Sequence, residues 1–188
     1  MNSSRDMNNE ILATNEGCER DPCTSSDYWY FAYGSNLCPE QMQTRLGVLF
    51  LADHSKTNLR PRLVRLPKHR VNFSVLGSDG GYYANIVPAQ EDVLGVIYRC
   101  TSLALEKLDS YEVGYERNIM RVFDAEDQAF DAAVYIVGQE NVSNAGSPHF
   151  EYLSKILQGG MHHGLPADYL RSIQVTAGLS MPKVVNTA

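Results

Sequence analysis

Hydrophobic and polar positions fall in short blocks along this chain, and the blocks change character at Tyr28. Residues 1 to 27 are rich in Asn, Ser, Glu, Asp and Thr with little to bury, which predicts a disordered tail. From Tyr28 to Tyr33 every position is aromatic or apolar, which predicts a buried strand. The run stops at Gly34-Ser35-Asn36, residues that favour a sharp turn. Pro39 then stands where a helix starts, followed by Glu40-Gln41-Met42-Gln43. The first readable unit is strand, tight loop, short helix.

Strand blocks follow over residues 48–52, 63–66, 71–76, 82–87 and 93–100. Pro67 separates the second from the third, and Pro88 closes the fourth. Thr101 or Ser102 caps a short helix over 103–111, with Leu105, Leu108 and Tyr111/Glu112 on one side. Residues 118–123 and 130–137 read as a hairpin across Asp124 to Gln128. Pro148 opens a helix with Phe150, Leu153, Ile156 and Leu157 on one stripe, ended by Gly159-Gly160. Pro166 opens another, carrying Tyr169, Leu170 and Ile173, and 179–188 reads as a loose tail. Antiparallel-type strands before two late helices, with no regular βαβ alternation, predict an α+β domain over 28–178: a small barrel with helices packed on it.

Composition narrows the function classes. The chain has 188 residues, 44% hydrophobic and 20% charged, which suits one soluble domain with a real core. The net charge of −6 argues against a nucleic-acid or anionic-membrane partner, and any anion site must be made locally. No run approaches the roughly 18 apolar residues of a membrane span, and no signal peptide is visible. With a cysteine pattern that fits neither a disulfide framework nor zinc, this predicts a reducing, cytoplasmic setting. Cys18 and Cys23 have no matching second pair, and Cys100 reads as a buried free thiol.

Tyr33-Gly34-Ser35-Asn36-Leu37 is the most informative loop. Successive amides of Gly34, Ser35, Asn36 and Leu37 can form a nest for a carboxylate or oxyanion, with the helix start at Pro39 adding its positive end. Taken alone, the same residues read first as ordinary strand-to-helix turn chemistry. His162-His163 reads as a solvated pair before it reads as a metal site. Cys38 has no evident base partner and reads as packing. The basic stretch from Arg60 to Arg70 reads as exposed strand and turn positions before it reads as a phosphate site.

Phe31-Ala32-Tyr33-Gly34-Ser35-Asn36-Leu37 resembles the substrate-binding loop of the γ-glutamyl cyclotransferase family (the AIG2-like superfamily). In the same order, Gly95-Val96-Ile97-Tyr98 is similar to that family's central strand. Leu105 to Glu112 resembles its L-x-x-L-D-x-x-E helix, Tyr115-Glu116-Arg117 its Tyr-x-Arg, and Gly164-Leu165-Pro166 with Tyr169 its G-L-P-x-x-Y. The resemblance implies a compact, mostly antiparallel β-barrel flanked by helices, and cyclisation of a γ-glutamyl group to 5-oxoproline without metal or cofactor. It implies Glu112 as acid/base and Tyr33, Gly34, Ser35, Asn36, Leu37 and Tyr115 as substrate-binding residues. For Arg117 a surface ion pair and for Tyr169 packing are the expected roles. Asn36 after Ser35 favours this family over glutathione-specific relatives with Tyr-Gly-Ser-Leu. The partner implied is a small γ-glutamyl molecule, with a homodimer suggested by the family alone. γ-Glutamyl-amines, a γ-glutamyl-protected biosynthetic intermediate, and a non-catalytic binding module on the same fold remain the alternatives.

Overall fold

A computed structural model describes residues 28–52, 59–138 and 141–179. The segment 1–27, with Cys18 and Cys23, and residues 180–188 of the expected C-terminal tail lie outside the described residues. Five strands close into a barrel in the order β1-β3-β2-β4-β5. They are β1 (Tyr28–Ala32), β2 (Arg62–Leu76), β3 (Tyr82–Cys100), β4 (Glu116–Phe123) and β5 (Ala129–Ile136). Every pairing is antiparallel except β1 with β5, where Tyr30 lies opposite Ala133 and the barrel closes. Four helices flank it: α1 (Pro39–Leu46), α2 (Ser102–Asp109), α3 (Phe150–His162) and α4 (Ala167–Thr176). The fold is thus the mixed, mostly antiparallel barrel with helices that the sequence predicts.

The strand blocks differ from expectation in two ways. First, the two pairs of short strands fuse into the long β2 and β3, so Pro67 and Pro88 lie inside strands. They are tolerated because the ladder breaks its register between Pro67 and His69, where Lys68 adopts φ 59°; a bulge removes the need for an N–H donor there. Second, residues 48–52 form no strand. Gly47–Leu49 is a 3-10 turn, and Val48 is almost fully exposed, so that apolar block has no sheet to join.

Two helix ends also differ. Thr101 caps α2 by accepting from the Ala104 amide, as predicted, but α2 stops at Asp109. Tyr111 is exposed, and Glu112 sits in a separate turn beyond the helix. In α3, Gly159-Gly160 does not end the helix; both lie buried within it. A Cβ on Gly159 would collide with the Leu37 carbonyl and the Cys38 amide, so glycine lets α3 press directly on the loop after β1. Phe150 begins α3 exposed, because the helix start projects to the rim of a groove and not onto the core. The core runs through the barrel and under the helices: Phe31, Phe73, Val93, Ile97, Leu108, Val122 and Ile156 are each almost fully buried.

Candidate functional site

The loop after β1 folds as a 3-10 turn over Ser35–Leu37, which runs through Cys38 into α1. Within it the Leu37 amide donates to the Gly34 carbonyl at 2.9 Å, and the Cys38 amide to the Ser35 carbonyl at 3.0 Å. The N–H groups of Gly34, Ser35 and Asn36 have no acceptor among the described residues. The expected nest therefore reduces to three amides. Leu37 is not part of it: its amide is committed to the turn and its side chain is buried in the core.

Glu112 reaches the same place from the far side of the sequence. Its amide donates to the Leu108 carbonyl, and its own carbonyl accepts from the Tyr115 amide at 3.0 Å. Gly114 closes this turn at φ 85°, a left-handed conformation that favours glycine. The short spacing from Glu112 to Tyr115 is thus a single tight turn that aims both side chains at one cavity.

That cavity, about 30 Å³, is lined by Tyr30, Tyr33, Gly34, Ser35, Asn36, Ala84, Glu112, Tyr115, Tyr135 and Tyr152. It brings together every expected site residue except Leu37. Through Ser35 and Tyr152 it adjoins an outer groove of about 520 Å³ between α1, the start of α3 and the β2–β3 turn.

The Glu112 side chain is 15% exposed. Its Oε1 accepts from Asn36 Nδ2 at 3.0 Å and from Arg45 Nη1 at 2.8 Å. Its Oε2 has no hydrogen-bond partner among the described residues. Burial raises the pKa of this carboxyl above its ordinary value, against the opposing pull of Arg45 and Asn36.

Tyrosines form the rest of the wall. Tyr33 donates to the Tyr135 carbonyl at 2.6 Å, Tyr115 to the Ala84 carbonyl at 2.7 Å, and Tyr135 to Asp109 Oδ1 at 2.7 Å. Tyr152 accepts from the Ala84 amide. Burial pushes all these hydroxyls upward, to about 12 for Tyr152, so they are neutral across the working range. Because Tyr33 and Tyr115 commit their single protons to backbone carbonyls, they present lone pairs to the cavity.

Arg45, Gln41, Tyr30, Tyr135, Tyr152 and Ala84 are neighbours of the site that the sequence reading missed. For Arg45 and Gln41 a signal existed: they stand four apart in the helix that follows the loop, hence on one face of it.

The other singled-out residues lie elsewhere. Arg117 pairs with Asp109 at 3.4 Å, and Tyr169 packs against the core, outside the cavity. Cys38 and Cys100 are buried free thiols. His163 is not a solvated histidine: its Nε2 meets the Tyr98 hydroxyl at 2.7 Å. In the basic stretch, Arg62 stacks over Trp29 and Phe130, and Arg65 pairs with Asp127 at 2.6 Å. No helix among the described residues is long and apolar enough to cross a membrane.

The family described as "Gamma-glutamyl cyclotransferase, AIG2-like" matches residues 30–154, a span that holds the whole cavity lining. A solved structure titled "Gamma-glutamyl cyclotransferase" is similar at TM-score 0.66 and 23% identity, over 79% of this chain and 86% of its own. YkqA from Bacillus subtilis is similar at TM-score 0.70 and 21% identity, over 84% of this chain but only 56% of its own. A yeast γ-glutamyl cyclotransferase specific to glutathione is similar at TM-score 0.55 and 14% identity, over 81% of this chain and 96% of its own. At these identities the likeness is one of fold. No curated protein matches the chain in sequence.

Proposed function

Because the chain belongs to the γ-glutamyl cyclotransferase, AIG2-like family, we propose that it cyclises the γ-glutamyl group of γ-glutamyl-amino acids to 5-oxoproline and releases the amino acid. One observation carries this reading. A buried carboxylate, Glu112, is held by one oxygen and lines a cavity with Gly34, Ser35 and Asn36; its other oxygen and the amides of those three residues have no hydrogen-bond partner among the described residues.

The chemistry needs these two features together. The substrate's α-ammonium would meet Glu112 Oε2 and the lone pairs of Tyr33 and Tyr115. Glu112 takes a proton from it, and the freed amine attacks the substrate's own γ-carbonyl carbon. The new C–N bond forms as the carbonyl π pair moves to oxygen. Collapse of that oxyanion breaks the bond to the leaving nitrogen, which takes the proton from Glu112; the ring nitrogen, still carrying two protons, then gives one to the Glu112 carboxylate, which passes it to the released amine. No water is consumed: two protons pass in turn from the α-nitrogen to the leaving nitrogen through one carboxyl group, which ends ionised as it began.

The role left to the protein is to hold the chain bent. Well-oriented intramolecular attack reaches effective molarities of about 10⁵–10⁸ M. The Gly34, Ser35 and Asn36 amides suit the substrate's α-carboxylate or the oxyanion. The inner cavity of about 30 Å³ takes only part of a glutamyl unit, so the substrate would extend through the Ser35–Tyr152 opening, with its leaving group in the outer groove. The raised pKa of Glu112 suits a group that must both accept and return a proton near neutral pH.

The test is to incubate the purified protein with γ-glutamyl-alanine, a γ-glutamyl-amine, γ-glutamyl-ε-lysine and glutathione, and to measure 5-oxoproline. Production from γ-glutamyl-alanine is expected. Turnover of the amine or lysine conjugates alone would move the substrate class, and no 5-oxoproline from any of them would leave a binding module.

A further inference from the structure

We infer that Arg45, with Gln41 one helical turn before it, is the positioning residue of this site: it fixes the Asn36 amide and the Oε1 edge of Glu112, so that Oε2 alone is offered to the substrate. The inference rests on the cyclotransfer reading and adds to it a residue and a role that neither the loop nor the glutamate discloses.

The hydrogen bonds dictate the arrangement. Arg45 Nη1 donates to Asn36 Oδ1 at 2.9 Å and to Glu112 Oε1 at 2.8 Å. Gln41 Nε2 donates to the same Asn36 Oδ1 at 3.1 Å and to Ser35 Oγ at 2.6 Å. With two donors on Oδ1, the Asn36 amide has one workable orientation. Turned over, it would face its NH₂ group toward a guanidinium and another NH₂, and its oxygen toward a carboxylate. In the orientation observed, Nδ2 gives one proton to Glu112 Oε1 and the other to the Tyr30 hydroxyl at 2.7 Å. Arg45 is itself held from the outside, its guanidinium 5.1 Å from the centre of the Tyr111 ring. Loop, helix and carboxylate therefore lock as one unit.

Arg45 also decides the charge balance. The groups around Glu112 are Tyr30 and Tyr33 from the end of β1, Tyr115 from its own turn, Tyr135 from β5 and Tyr152 from α3. All of these hydroxyls are held neutral by burial. Asp109, behind Tyr135, is engaged by that hydroxyl and by Arg117. Among the described residues, Arg45 is the cation in contact with Glu112, and it offsets the burial that favours the protonated acid.

The experiment compares the wild-type protein with Arg45→Met, Arg45→Gln and Arg45→Lys. It uses kcat/KM on γ-glutamyl-alanine across pH, together with a ¹³C-carboxyl NMR titration of Glu112. In Arg45→Met the acid limb moves to higher pH, because Glu112 protonates earlier as pH falls. Its kcat/KM at about pH 5.5 then drops at least about 10-fold more than at about pH 8. Arg45→Lys keeps a charge but loses the planar Nη1 group that gives one proton to each of its two acceptors; its acid limb stays near that of the wild type while kcat falls about 10-fold. If Arg45→Met does not fold, Arg45→Gln carries the same expectation. Arg171→Ala, on the exposed face of α4, is the control with unchanged activity.

An acid limb and a Glu112 titration that do not move in the neutral variants would overturn the inference. A wild type that makes no 5-oxoproline would instead defeat the cyclotransfer reading. The NMR titration would still decide whether Arg45 governs Glu112.

Discussion

Arg45 and Glu112 meet at 2.8 Å under the loop, while Arg121 and Asp131 meet at 2.9 Å on the exposed surface of the β4–β5 hairpin. The surface pair is the better bonded: Arg121 reaches both Asp131 oxygens, at 2.9 and 3.1 Å, whereas Arg45 reaches one oxygen of Glu112. Yet the two carboxyls shift in opposite directions. The hydrogen bond to Arg121 lowers Asp131, whose surroundings are water. Burial raises Glu112 in spite of its arginine. A salt bridge alone does not mark a functional acid. One that is pulled from water and left with an unbonded oxygen does fit that role.

Substitutions can break this contrast in order of expected effect. Glu112→Gln should lower turnover by about 10²–10⁴-fold with the fold intact, while Asp131→Asn leaves turnover unchanged; steady-state kinetics on γ-glutamyl-alanine checks both. Glu112→Gln should not lower the Tm at neutral pH. The folded protein holds the Glu112 proton more tightly than the unfolded chain does, so ionising it costs stability as pH rises through the raised pKa. Gly159→Ala should be felt in both kinetics and stability, since its Cβ would push the Leu37 and Cys38 backbone out of place. A loss of about 1–3 kcal/mol in denaturant unfolding, with lower kcat, is expected. In the unaltered protein, the acid limb of kcat/KM should lie above the ordinary glutamate value of about 4.3, and an NMR titration of Asp131 should fall below the aspartate value of about 3.9. Smallest of all, Arg121→Ala should change neither activity nor Tm appreciably, because an exposed pair is screened by water and salt.

Local chemistry made half of the site legible. The aromatic strand, the Gly34-Ser35-Asn36 turn and the Pro39 helix are contiguous, and each element is encoded by neighbouring residues. Glu112 came only from the family resemblance, since nothing local separates it from other acidic residues at helix ends. The rest depends on closure of the barrel. Tyr135 reaches the cavity because β5 pairs in parallel with β1, and Ala84 because β2 and β3 run on past their prolines. Gly159-Gly160 misled the reading for the same reason. A glycine pair signals a helix end only where nothing packs on it, and here the loop backbone occupies the space a side chain would take.

Intramolecular cyclisation can be followed atom by atom with γ-glutamyl-alanine carrying ¹⁵N at the glutamyl α-amine. Recovery of the label in the ring nitrogen of 5-oxoproline, with one equivalent of unlabelled alanine, is the predicted result. Labelled free glutamate in its place would mean that water, and not the substrate's own amine, attacks the γ-carbonyl, and would contradict the proposed chemistry.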